Sequence, residues 1–243
     1  MSTSSERCRR YRRRILEISQ KVTAHVAPAL SCVEICDVIY NELMRPQDVF
    51  VLSKGHGCLA QYVILEERWL LNLDEFCAGG LGGHPDRGGP IEASTGSLGH
   101  GLGMAVGMAY AEKLKGSDVR VYVVCSDGEL QAGSTWEAVR MAAELKLDNL
   151  MLFVDANGWG GMDQIEREGA GKFRAFGWSA SNADGHAGEV IQSRYCLRND
   201  SKPFALVCET VKGHPISFML DRPIWHYRSP NAEEYAQAMR ELA

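Results

Sequence analysis

The sequence predicts an α/β fold, a mostly parallel sheet flanked by helices on both faces. Two observations predict it. From Val119 onward, short apolar runs alternate with stretches of helical periodicity, and such alternation builds parallel sheets. Two of those runs also end in polar, glycine-bearing turns: Asp127-Gly128 follows 119–125, and Asp155-Ala156-Asn157-Gly158 follows 150–154. Loops of that kind form the ligand crevice at the carboxyl ends of parallel strands.

The elements follow in order. Residues 6–24 predict a helix, with Ile15, Ile18 and Val22 at helical spacing. Residues 31–43 predict a second helix, opened by Ser31 as cap with Glu34 three places on. A strand over 49–52 runs into the glycine-rich Ser53-Lys54-Gly55-His56-Gly57, and a helix over 59–70 follows. Ten glycines lie within 78–103, a density that lets backbone approach a ligand or another backbone. Residues 100–115 form a Gly- and Ala-rich helix. Interior glycines cost about 1 kcal/mol each against alanine, so close packing against a subunit interface is one reading. Strand 119–125, helix 134–146 and strand 150–154 come next, then strands 178–182 and 204–210 around a short helix, 188–195. The whole reads as one domain over 1–243, with a helical arm over about 1–45 and a tail over about 211–243.

Composition narrows the function. At 243 residues the chain is long enough for a substantial core. A net charge of −5 argues against nucleic acid as a partner. The cluster Arg9, Arg10, Arg12, Arg13 and Arg14 reads as a solvated helix face or as a docking surface for an acidic partner. Eight cysteines without a CxxC pair suit a reduced, cytoplasmic protein. There is no apolar run long enough to span a membrane and no secretory signal.

Asp127 and Asn157 lie 30 residues apart, about one strand–helix–strand unit. Two hard oxygen donors beside a glycine turn suit Mg²⁺, completed by phosphate and water. Five histidines (His56, His84, His100, His186 and His214) sit in or beside Gly- or Pro-rich turns, where loop chemistry concentrates. None has HExxH or HxxxH spacing, so no zinc site is expected. Neither a GxSxG nor a P-loop occurs.

Five ordered motifs carry a resemblance: Val51-Leu52-Ser53-Lys54-Gly55-His56-Gly57, Gly83-His84-Pro85, Ser94-Thr95-Gly96-Ser97-Leu98-Gly99-His100-Gly101, Ser126-Asp127-Gly128-Glu129-Leu130-Gln131 and Asp155-Ala156-Asn157. With Val211-Lys212-Gly213 and Trp225-His226 they resemble the transketolase family, and within it the N-terminal subunit of split transketolases. The resemblance implies thiamine diphosphate with Mg²⁺. It implies Asp127, Asn157 and the Trp159 carbonyl as metal ligands. Gly96, Leu98, His100, Gly128 and Glu129 fall in cofactor-binding segments, and His25, His56, His84 and His226 match the active-site histidines. Such histidines suit proton transfer and oxyanion stabilisation in the transfer of a two-carbon ketol unit.

Three departures stand out. Ser126 replaces a family Gly, Ala132 stands where Glu is common, and Val26-Ala27 replaces Pro-Gly. The resemblance also places the remaining catalytic groups outside this chain, which implies a C-terminal transketolase-like partner subunit, an α₂β₂ assembly and a sugar or ketose phosphate substrate. Alternative readings are a subunit of a 2-oxoacid dehydrogenase or 1-deoxysugar synthase, or a non-catalytic cofactor-binding scaffold.

Overall fold

The computed structural model describes residues 3–78 and 83–243. Gly79, Gly80 and Gly82 of the glycine-rich segment lie outside the described residues. Among the described residues no helix is long and apolar enough to cross a membrane.

Five strands form one parallel sheet: β1 (Val49–Leu52), β2 (Val121–Ser126), β3 (Leu150–Ala156), β6 (Ser179–Asp184) and β7 (Phe204–Glu209). Their order is β1-β2-β3-β7-β6. A separate antiparallel hairpin, β4 (Trp159–Gly160) with β5 (Asp163–Gln164), follows β3. Alternate strand residues point to opposite faces, so the sheet divides the interior in two. Phe50, Leu52, Tyr122, Val124, Phe153 and Leu206 face one core with α1 (Ser4–Ser19), α2 (Val26–Leu30), α3 (Val33–Val38), α4 (Cys58–Glu67), α9 (Gly188–Cys196) and α10 (Ala232–Glu241). Val51, Val123, Cys125, Leu152, Val154 and Val207 face the other, with α6 (Gly101–Leu114), α7 (Gly133–Glu144) and α8 (Ala170–Ala175). The expected fold class is the observed one.

Two N-terminal expectations need correction. α1 stops at Ser19 rather than 24: the backbone of Lys21 and Val22 bonds back to Ile18, closing the last turn. Val22 still packs on the core from that turn, which extended the apparent periodicity. The helix expected over 31–43 is instead α2, α3 and a π-helical turn over Ile39–Leu43. Ser31 is the C-cap of α2 and not an N-cap, its hydroxyl donating to Asp155 at 2.6 Å, and Glu34 pairs with Arg12. No pattern in the sequence announced α5 (Leu73–Ala78), α8, α10 or the β4–β5 hairpin.

Three arginines of the cluster, Arg12, Arg13 and Arg14, are spent inside the fold. Thr3 caps α1 in a reciprocal box with Glu6. Arg7 reaches Asp37 at 2.7 Å, Arg12 reaches Glu34 at 2.6 Å and Arg14 reaches Glu66 at 2.7 Å. Arg13 donates to the Met239 and Leu242 carbonyls of the C-terminal segment. These pairs tie α1 to α3, α4 and the end of α10, while Arg9 and Arg10 of the cluster stay exposed, Arg10 paired with Glu67 at the surface.

Candidate active site

The carboxyl ends of β1, β2, β3 and β7 converge on a pocket of about 270 Å³ lined in part by Lys54, His56, Leu98, Gly128, Gln131, Asn157, Trp159, Lys212 and His226. β2 passes into a tight turn over Asp127–Gln131. The Ser126 hydroxyl accepts from the Glu129 backbone N–H at 3.2 Å, and the Glu129 carboxylate accepts from the Ser126 N–H at 3.1 Å. This local Ser-x-x-Glu box gives Ser126 a role that a glycine could not fill. The same Glu129 carboxylate accepts from the Ser53 hydroxyl at 2.6 Å and the Gly99 N–H at 3.4 Å. Glu129 is thus a buried clamp between three loops and does not line the pocket. Burial raises its pKa, against the pull of those donors.

Asp127 is 0% exposed and accepts from the Gly128 N–H at 2.9 Å and from the Gly158 N–H. Burial, then the nearby Asp155 carboxylate, push its pKa up to about 6. The Asn157 side-chain oxygen accepts from the Trp159 N–H at 3.0 Å. A Cβ at Gly128 would lie 3.3 Å from the Trp159 carbonyl oxygen and from the Gly160 Cα, so only glycine leaves this approach free. Asn157 and Trp159 line the pocket, and the Asp127 carboxylate lies buried behind them on the Gly128 and Gly158 N–H groups. Hard oxygens beside a carboxylate destabilised by burial fit Mg²⁺, and the bare backbone at Gly128 fits a diphosphate laid against it.

Behind this wall lies a buried ion pair. The Lys54 ammonium donates to the Pro28 carbonyl at 2.9 Å, the Ser31 hydroxyl at 2.9 Å and the Asp155 carboxylate. Thr210 donates to the other Asp155 oxygen. Burial opposes the charge on Lys54, but Asp155 outweighs it and holds the pKa above the ordinary lysine value. The pair locks the ends of β1, β3 and β7 to α2. Lys212 is different. Its ammonium donates to the Gly161 carbonyl at 2.8 Å and lies 5.0 Å from the Trp159 ring centroid. Burial, and then Lys54, lower its pKa to about 8.

Four histidines pack together, two of which, His56 and His226, line the pocket. The His25 ring centroid is 4.3 Å from that of His56, 5.5 Å from His84 and 5.2 Å from His226. Burial, followed by neighbouring cations and imidazoles, lowers His56 to about 3 and His226 to about 4. Burial also lowers His25. These three rings are therefore neutral at pH 7, able to accept a proton or share a hydrogen bond. Gly96, at φ +129°, makes room for His84: a Cβ there would sit 2.6 Å from its ring.

Leu98 stands half exposed at the pocket rim. His100 does not reach the pocket. It stands at the start of α6 and lies in the groove between α6 and α7 with Met104 and Glu137. Lys54, Lys212, Asp155 and Gln131 were not among the expected site residues. Lys54, Asp155 and Gln131 lie inside the family-like motifs, next to residues that were expected, and Lys212 lies in Val211-Lys212-Gly213.

Residues 14–241 match the family described as transketolase, thiamine diphosphate binding domain. The chain belongs to the transketolase family. It is 36% identical over 256 residues to a subunit of the apulose-4-phosphate transketolase of Phocaeicola vulgatus, covering 96% of this chain and 91% of that protein. It is 34% identical to the protein of the same name from Actinobacillus succinogenes, with 94% and 91% covered. Against the transketolase of Homo sapiens the identity is 35%, covering 84% of this chain but 36% of the relative. The fold superposes on transketolases from Leishmania mexicana (TM-score 0.89, 24% identity, 100% of this chain and 41% of that one) and Campylobacter jejuni (0.89, 24%, 100% and 43%). This transketolase-family chain thus corresponds to the thiamine diphosphate-binding part of much longer enzymes, and to nearly the whole of two proteins named as subunits.

Proposed function

We propose that this chain is the diphosphate-binding subunit of a two-component transketolase, moving a two-carbon ketol unit from a ketose phosphate to an acceptor. One observation carries the reading: Gly128, Asn157 and Trp159 share a pocket with His56 and His226, the Asp127 carboxylate lies buried behind Gly128 and Gly158, and His25 and His84 pack against those histidines. Asp127, Asn157 and the Trp159 carbonyl would hold Mg²⁺, and Gly128 would leave room for the diphosphate. Bound thiamine diphosphate supplies the nucleophilic carbon and the electron sink for cleaving the donor's C–C bond. The chain's own residues hold the sugar and move protons. Neutral His56 and His226 take a proton from a donor hydroxyl or donate a hydrogen bond to a developing oxyanion. Lys212, with its pKa lowered to about 8, adds a cation beside the metal loop.

A separate C-terminal transketolase-like subunit completes the site, in an α₂β₂ assembly in the cytoplasm. Two observations support a partner. The chain covers 91% of each of two relatives that are themselves named as transketolase subunits. Leu98, Met162 and Tyr227 are exposed apolar side chains, and Leu98 and the neighbours of the other two line the pocket. We read residues 1–243 as one diphosphate-binding domain.

The test is an assay with ketose phosphate donor, aldose acceptor, thiamine diphosphate and Mg²⁺. The chain is assayed alone and with the transketolase-like C-terminal subunit of the same genome. Turnover is expected only from the mixture. Full turnover by the isolated chain, or none from a mixture that does assemble, would overturn the proposal.

A further inference from the structure

His25, His56 and His84 stand 31 and 28 residues apart along the chain, yet each places one ring nitrogen within 4.8 Å of the other two. His25 comes from the segment before α2, His56 from the turn after β1, and His84 from the loop before α6. The tautomer of His25 is fixed: its Nδ1 lies 2.8 Å from the His226 carbonyl oxygen. A carbonyl can only accept, so Nδ1 carries the proton and Nε2 carries the lone pair. A histidine that ligates a metal is oriented by such a contact at its other nitrogen. The Nε2 side is uncrowded, since a Cβ at Gly83 would still lie 3.7 Å from it.

His56 and His84 make ring contacts but no side-chain hydrogen bond to any described residue. Their lone pairs are uncommitted. Burial keeps His56 and His25 from protonating at neutral pH, and a neutral imidazole is the ligating form.

We propose that His25, His56 and His84 form a binding site for one borderline-soft divalent ion of the Zn²⁺ class, separate from the Mg²⁺ site. Around a tetrahedral zinc, imidazole nitrogens are about 3.3 Å apart, from Zn–N bonds of about 2.0–2.1 Å. The observed separations close to that by rotation about the last side-chain torsion, which is soft for histidine. Three nitrogens and an open fourth position make a site that also takes water. Donor chemistry sorts the two ions: Mg²⁺ requires the hard oxygens of Asp127, Asn157 and Trp159, whereas imidazole selects Zn²⁺, Co²⁺, Ni²⁺ or Cu²⁺. On the proposed function, which this consequence alone requires, the bound ion occupies the sugar-facing wall and competes with the ketose donor.

The experiment uses the full chain without a histidine tag, stripped with chelator and kept in Mg²⁺. Co²⁺ titration should give one equivalent with the intense visible d–d bands of tetrahedral nitrogen coordination. Zn²⁺ should displace it and compete with a chromophoric chelator. His56→Gln and His84→Gln should each weaken binding by at least about tenfold, the scale on which even orienting groups act at metal sites. His186→Gln, in the other stacked histidine pair (ring centroids 3.8 Å apart), should leave binding unchanged. Far-UV circular dichroism and the melting temperature in excess chelator establish that each variant folds. If His56→Gln fails that check, His84→Gln, whose ring is partly exposed, carries the test. No visible band, or a band that survives His84→Gln, would overturn the metal site. In the reconstituted enzyme Zn²⁺ should raise the apparent KM for the ketose. Zinc bound at the trio without that effect would leave the metal site standing and overturn the placement of the sugar.

Discussion

At the scale of single residues, the site depends on groups kept in unfavourable surroundings. Asp127 has a carboxylate that burial and Asp155 hold near a pKa of about 6, and a cation is what relieves it. Asp127→Ala or Asn157→Ala should therefore abolish Mg²⁺-dependent cofactor binding. The thermal shift given by thiamine diphosphate with Mg²⁺, a few kcal/mol at high saturation, should disappear. The unliganded melting temperature should hold within a few degrees, because removing a desolvated charge does not loosen the core. Lys54 is the opposite case. It is 4% exposed and its three donors are all used. Lys54→Met should cost about 3–5 kcal/mol in a urea melt by stranding Asp155, and adding Asp155→Leu should restore most of it. A double variant no more stable than Lys54→Met would show that the pair is not a unit.

Single residues also mark where the sequence was readable. The Ser126–Glu129 box is local, its two residues three positions apart, yet Ser126 read only as a replacement for Gly until the structure closed the box. Lys54 and Asp155 are 101 residues apart, and nothing in either neighbourhood names the other. The zinc-type trio was hidden for the same reason. Spacing rules such as HExxH detect ligands that share one helix, and here three loops each bring one.

At the scale of elements, α1 shows how burial decides the worth of a charge. Arg12 and Glu34 are both nearly buried, while Lys21 and Asp74 are both more than half exposed. Arg12→Ala should destabilise the protein by about 3 kcal/mol, by leaving Glu34 buried with only the His186 imidazole, 3.5 Å away, beside it. Lys21→Ala should change stability by less than about 1 kcal/mol, because water screens the pair. Chemical denaturation of the two variants checks the contrast, and equal losses would contradict it. The sheet was legible element by element: β1, β2, β3 and β7 run apolar into a polar turn, and all four, with the more polar β6, formed within a few residues of expectation. The short helices were less so. α5, α8 and the β4–β5 hairpin are stabilised by what they pack on, and segments of two to six residues carry too little periodicity to register.

At the scale of the whole molecule, buried neutral histidines set the acid limit. His56, His214 and His226 have pKa values lowered to about 3, 4 and 4. In His214 the cause is burial, then His186. An unfolded histidine titrates near 6.5. Between the folded and unfolded values the unfolded chain binds more protons, so stability rises with pH in that window. It is complete above about 6.5 and is lost as the pH falls toward 4. Each ring adds at most about 1.4 kcal/mol per pH unit, and less here because all three are partly solvated. Urea melts between pH 7 and 4.5 should show this decline, and His214→Gln should flatten it. An unchanged slope in that variant would mean that the ring titrates normally.

The sequence by itself determined the strand–helix alternation, the glycine turns at strand ends and the motif order that assigns the chain to the transketolase family. Those features are local, fixed by periodicity and backbone conformation. Only the tertiary structure decided that Glu129 clamps loops instead of lining the pocket, that His100 lines a different groove, that Arg12, Arg13 and Arg14 staple α1, and that four histidine rings pack together. Each outcome depends on which distant side chain arrives at a given point. That is set by packing across the sheet, where burial decides whether a charge is paired and whether an imidazole keeps its lone pair.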